Sequence, residues 1–168
     1  KSSRFPGKPL KKILGKEMVI RVADICSKIT KKENIIIATD NNLIKQTCED
    51  FGYRSLMTPK SCKTGTDRCY QAAKKIKSNF YINVQGDEPL IRSSDILKVI
   101  KAKKKFRNHI ICGYTNATYS EAKNINVPKV LINNFSDLIF MSRSLIPGCK
   151  NINNKKKINY FKQVCIYA

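Results

Sequence analysis

The chain has 168 residues, 42% of them apolar, and a formal net charge of +21 at pH 7. That apolar share excludes a disordered chain, and the length suits one hydrophobic core and a single domain over residues 1–168. A charge of this size attracts polyanions, but the lysines are spread along the chain, as on a solvated surface, and form no compact basic block.

In chain order, Glu17 to Ile29 sets Met18, Val22, Ile25, Cys26 and Ile29 on one helical face. The run Ile35-Ile36-Ile37-Ala38 predicts a short buried strand, and Thr39-Asp40-Asn41 offers a turn and a helix cap. Leu43, Ile44, Thr47, Cys48 and Phe51 then recur at helical spacing until Gly52. A strand at Arg54 to Met57 follows, then a loop from Thr58 to Thr64, then a helix marked by Cys69, Ala72, Ala73 and Ile76. A strand from Phe80 to Val84 runs into an acidic loop, after which Ser94-Asp95 caps a helix carrying Ile96, Leu97, Val99 and Ile100. This alternation predicts a mostly parallel sheet covered by helices on both faces. From His109 the pattern changes. Ile110 to Tyr114, Lys129 to Ile132, Leu138 to Met141 and Tyr160 to Tyr167 are strand-like, and Asn133-Asn134 is a turn signal between two of them. The second half is therefore expected to hold an antiparallel excursion.

Seven cysteines at 26, 48, 62, 69, 112, 149 and 165 form no CxxC pair, and the lone His109 cannot complete a local zinc site. They suit small buried hydrophobes in a reducing, cytoplasmic compartment. No apolar run reaches membrane-spanning length, and the start is not signal-like. A basic turn precedes any strand at the start, and the last residues stop inside a strand, as in a fragment.

Four segments bear chemistry. Arg4-Phe5-Pro6-Gly7-Lys8-Pro9-Leu10 sets two cations around a Pro-Gly bend, where a phosphate could approach the backbone. The GxxxxGK[ST] spacing is absent, and an exposed basic turn is the plain alternative. Thr64-Gly65-Thr66-Asp67-Arg68 opens a helix, where hydroxyls and N–H groups bind anions, or where Thr66 simply caps. Gln85-Gly86-Asp87-Glu88-Pro89 delivers two carboxylates from a buried strand to a sheet edge, where α/β proteins bind ligands. A divalent metal held by a carboxylate and substrate phosphates fits there, and a solvated turn is the alternative. Arg143, after the strand Leu138 to Met141, suits a bidentate carboxylate or a surface ion pair.

The ordered series RFPGKPL, IIIATD, TGTDR, NVQGDEPLI and FMSRSLIP resembles the CMP-Kdo synthetases, the 3-deoxy-manno-octulosonate cytidylyltransferases of the sugar nucleotidyltransferase superfamily. The resemblance implies a Rossmann-like three-layer α/β/α nucleotidyltransferase fold. It also implies transfer of CMP from CTP to a 2-keto sugar acid with Mg²⁺, for lipopolysaccharide or capsule synthesis, by a cytoplasmic homodimer that binds neither nucleic acid nor membrane. By motif matching, Arg4 and Lys8 hold the CTP phosphates and, with Asp87, form the catalytic set; Asp87 is the metal ligand. Thr64, Gly65, Thr66 and Arg68 line the nucleotide site, while Gln85, Arg143, Gln163 and Tyr167 face the sugar acid. Gln163 stands where the family has a His, which leaves 8-amino-Kdo or a nonulosonate as alternative substrates. The loop after Pro147 is shorter than in family members. An Arg before RFPGKPL and a second metal-binding Asp beyond Ala168 belong to the family pattern, so these 168 residues alone are expected not to turn over. The alternative from another class is a basic nucleic-acid-binding module.

Overall fold

The structure, a computed structural model, describes residues 7–148, 150 and 158–168. The contacts divide the chain into two units, one of residues 1–111 with 165–168 and one of residues 112–164.

In the first unit Gly7 takes a left-handed conformation (φ 70°) and turns the chain into a 3-10 turn at Lys8–Leu10. A small antiparallel hairpin follows, β1 (Lys12–Ile13) and β2 (Lys16–Glu17), with Leu14 and Gly15 both at positive φ in its turn. Helix α1 (Met18–Ser27) buries Val19, Ile20, Val22 and Ala23. Strand β3 (Ile36–Thr39), helix α2 (Asn42–Asp50) and strand β4 (Arg54–Met57) make a βαβ unit, with β3 and β4 parallel and Ile36 opposite Arg54. Asn41 caps α2 by accepting from the Leu43 and Ile44 N–H groups. Val19, Ile20, Ala23, Ile35, Cys48 and Tyr53 form the core of this unit. Burial pushes the Cys26 and Cys48 thiols up to about 11, as expected of cysteines that act as small hydrophobes.

Helix α3 (Gly65–Ala73) follows, then strand β5 (Asn83–Val84) and helix α4 (Ser93–Lys105). The strand expected from Phe80 is thus shorter, and β5 pairs antiparallel with the end of β9 (Tyr160–Tyr167), Asn83 opposite Tyr167. Local bonding explains the loss. The Tyr81 hydroxyl donates to the Ala73 carbonyl at the end of α3 and to the Ile76 carbonyl beyond it, and accepts from the Ser78 N–H, while Ser78 Oγ donates to the Phe80 carbonyl. Those bonds take the stretch before Asn83 out of a strand ladder. Helix α4 begins one residue before the expected Ser94 cap. Arg92 occupies the N-cap without a side-chain bond, and Asp95 in the first turn pairs with Arg92 at 3.0 Å.

The second unit is the antiparallel excursion. Strand β6 (Cys112–Ala117) leads to helix α5 (Tyr119–Lys123), closed by a capping box between Thr118 and Glu121. Strands β7 (Lys129–Ile132) and β8 (Leu138–Ser142) form an antiparallel hairpin, and β7 pairs on its other side with β9, Val130 opposite Phe161. Asn133 holds the turn by accepting from the Phe135 and Asp137 N–H groups.

Candidate active site

Strand β5 delivers Gln85 and Asp87 into a turn closed by the Glu88 N–H donating to the Gln85 carbonyl at 3.3 Å. Gly86 sits where a Cβ would lie 3.4 Å from Val19 of α1, so that turn packs directly on the helix. Lys8 Nζ donates to Asp87 Oδ2 at 2.9 Å, which brings together two motifs 79 residues apart. Both side chains stay accessible, at 32% and 42% exposure. Arg4 lies outside the described residues.

The Thr-Gly-Thr-Asp-Arg segment is organised differently from its simplest reading. The cap of α3 is Thr64, not Thr66: Thr64 accepts from the Asp67 N–H, and Asp67 accepts back from the Thr64 and Lys63 N–H groups. Those N–H bonds, Thr64 first, hold the Asp67 carboxyl below its ordinary range. Thr64, Gly65 and Thr66 are exposed, and nothing lies within 4 Å of a Cβ placed on Gly65. Arg68 points elsewhere. Its guanidinium donates to Thr58 Oγ1 at 2.9 Å and to Asp40 Oδ2 at 2.7 Å, joining the residues that follow β4 and β3. Burial pushes the Asp40 carboxyl up, but the Arg68 hydrogen bond and charge outweigh it and hold the group below its ordinary value.

Of the residues expected at the sugar acid, Gln85 and Tyr167 belong to the first unit, where the Gln85 N–H donates to the Cys165 carbonyl and Tyr167 pairs with Asn83. Arg143 and Gln163 belong to the second unit. Arg143 is exposed, and its Nη1 donates to the Ile125 and Asn126 carbonyls. Gln163 donates its backbone N–H to Pro128 and lies with Nε2 3.8 Å from Cys112 Sγ.

Among the described residues no group of three or more His, Cys, Asp or Glu is gathered to hold a metal. Magnesium is commonly held by one or two carboxylates completed by substrate phosphates, and Asp87 suits that mode. Its carboxylate is accessible, and the bond from Lys8 engages Oδ2 and not Oδ1.

Sequence reasoning missed several polar groups. Asp24 joins Lys16 at 2.6 Å and the Tyr53 hydroxyl at 2.6 Å. Burial raises the Asp24 carboxyl, and its bonds to Lys16 and Tyr53 bring it below the ordinary value. The Asn83 side-chain amide nitrogen is buried with no partner among the described residues. Lys129 is wholly buried at the start of β7, and burial, with the Arg143 charge, pushes its ammonium pKa down. A lone Lys or Asp among apolar residues gives no sequence signal of burial, because its partners are remote side chains or backbone carbonyls.

A βαβ unit with a cation–carboxylate pair and an open, capped helix start is the framework of a nucleotide-handling α/β protein. The family model described as cytidylyltransferase matches residues 1–168, and the chain belongs to that family. It is 34% identical over 168 residues to the 3-deoxy-manno-octulosonate cytidylyltransferase of Escherichia coli, covering 99% of this chain and 67% of that protein. It is 36% identical over 161 residues to the mitochondrial 3-deoxy-manno-octulosonate cytidylyltransferase of Arabidopsis thaliana, covering 94% of this chain and 54% of that one. A solved structure of CMP:2-keto-3-deoxy-manno-octonic acid synthetase complexed with CTP superposes with a TM-score of 0.89 at 33% identity, covering 99% of this chain and 68% of that one. The chain thus has the α/β fold of that synthetase and spans about two thirds of its length.

Proposed function

We propose that the chain works as a cytidylyltransferase joining CTP and 3-deoxy-manno-octulosonate, with both the nucleotide and the sugar-acid residues in its sequence. The observation that carries this reading is the Lys8–Asp87 pair, which unites the two motifs most specific to the family. In the reaction the anomeric hydroxyl oxygen forms a bond to the α-phosphorus. The bond from that phosphorus to the bridging oxygen breaks, pyrophosphate leaves with its electron pair, and the hydroxyl proton passes to solvent.

Each residue then has a task. Lys8, with Arg4, offsets phosphate charge, and Lys8 exchanges Asp87 for phosphate oxygens when CTP enters. Asp87 would hold Mg²⁺, which when bound neutralises charge on the transferring and leaving groups. Gly65 and Thr66 present N–H groups, and Thr66 its hydroxyl, at the start of α3, where an anion is favoured, while Thr64 holds that start through its capping box with Asp67. Arg68 supports these residues through Asp40 and Thr58. Arg143 binds the sugar-acid carboxylate, and Gln85, Gln163 and Tyr167 donate or accept hydrogen bonds with its hydroxyls.

Assembly as a homodimer in the cytoplasm completes the proposal. Strand β8 supports the assembly, because Leu138, Ile139, Phe140 and Met141 are all exposed along one strand and offer an apolar surface. Pyrophosphate release from CTP with Mg²⁺ and a panel of 2-keto sugar acids tests the reaction. Activity on 3-deoxy-manno-octulosonate supports it, and activity on a nonulosonate alone overturns it.

A further inference from the structure

Lys129 is 0% exposed, and among the described residues its partners are two backbone carbonyls rather than a carboxylate. Burying an ammonium without a counter-ion is unfavourable, and an apolar side chain of similar volume would fill the space with less desolvation. The lysine therefore calls for a reason beyond packing. Its Nζ donates to the Asn124 carbonyl at 2.9 Å and to the carbonyl of Arg143. The Arg143 guanidinium in turn donates Nη1 to the next two carbonyls, Ile125 at 3.3 Å and Asn126 at 3.1 Å. Three consecutive carbonyls are thus divided between two cations, one buried and one exposed.

The segment that presents these carbonyls is itself fixed. Thr118 and Glu121 cap α5 just before it, and Lys162, opposite Lys129 in the β7–β9 register, pairs with Glu121. All of these residues lie in the second unit. Of the Arg143 nitrogens, Nη1 carries the bonds to these carbonyls, which leaves Nη2 and Nε as the edge able to meet a carboxylate in a bidentate pair.

We propose that Lys129 is a positioning residue for the sugar-acid site. It ties the Arg143 carbonyl to the Asn124 carbonyl, next to the Ile125 and Asn126 carbonyls that hold the guanidinium, so that the guanidinium edge is preset for an acid carboxylate. This rests on the functional reading above, in which Arg143 receives that carboxylate. Lys129 touches no substrate and acts through Arg143.

The test is calorimetric binding of 3-deoxy-manno-octulosonate, and separately of CTP, with melting temperatures recorded for every variant. Lys129→Met should weaken sugar-acid binding about tenfold or more, as expected for a displaced anchoring group. CTP affinity should stay within about twofold, since it depends on residues of the other unit. Lys129→Gln, which keeps one donor of similar length, should recover part of the loss. In an Arg143→Ala background Lys129→Met should cost nothing further, because the path through Arg143 is gone. Unchanged sugar-acid affinity in Lys129→Met, an equal loss of CTP affinity, or the same loss in the Arg143→Ala background would overturn the proposal. So would unfolding of both Lys129 variants, which would make the lysine a plain core residue. A wild-type chain that binds CTP but no 2-keto sugar acid would instead defeat the functional reading, and the proposal with it.

Discussion

Two ion pairs near the carboxyl edges of the strands do different things. Lys8 and Asp87 are joined at 2.9 Å yet accessible, and an exposed pair contributes only about 0–1 kcal/mol to stability. Such a pair is suited to being opened by a ligand that brings its own negative charge. Arg68 and Asp40, at 15% and 18% exposure, are held more tightly and act as a staple between the ends of β3 and β4. The Asp40 carboxyl has a folded pKa below its ordinary value, so its contribution to stability is present above the ordinary carboxylate range. That contribution is lost as pH falls through the folded pKa. Asp40→Asn should therefore destabilise the chain by about 1–3 kcal/mol at neutral pH, and the gap to wild type should close in acid. Urea unfolding at a series of pH values between about 6 and about 2 measures this gap. A gap that stayed constant down to the lowest pH would show that the charge of Asp40 is not what holds the staple.

Among the elements, α3 carries the nucleotide loop, and its start depends on one hydroxyl. Thr64→Ala removes the side-chain half of the capping box and should cost about 1 kcal/mol. Thermal unfolding reads the loss, whereas Thr66→Ala, at a position that caps nothing, should leave the melting temperature nearly unchanged. Strands with a plain apolar pattern were legible in the sequence: β4, β7 and β9 fall on the residues expected from Arg54 to Met57, Lys129 to Ile132 and Tyr160 to Tyr167. Elements too short to show a period were not. Helix α5 spans five residues, and β1 and β2 span two residues each. The stretch from Phe80 had strand composition, but Tyr81 and Ser78 bond to nearby groups instead. In the candidate site, motif order was readable, but the direct pairing of Lys8 with Asp87 emerged only in the fold. The retreat of Arg68 onto Asp40 and the burial of Lys129 were not readable either, since each depends on a partner that only folding brings near.

For the whole molecule, the charge of +21 has no compact basic block in the sequence, and the cytidylyltransferase family model spans all of it. Among the described residues no helix is long and apolar enough to cross a membrane. The exposed apolar residues of β8 predict self-association: light scattering should give a dimer mass, and Ile139→Lys with Phe140→Glu should give a monomer. A monomeric wild type would contradict the proposed assembly. The central claim is cytidylyl transfer at a site anchored by Asp87, and its most direct measurement is pyrophosphate release from CTP, Mg²⁺ and 3-deoxy-manno-octulosonate by the full-length protein and its Asp87→Asn variant. The account predicts release that needs both substrates and falls by roughly a hundredfold or more in the variant, a loss of several kcal/mol of transition-state stabilisation. Equal rates for the two proteins at saturating Mg²⁺, or no release with this sugar acid, would contradict it.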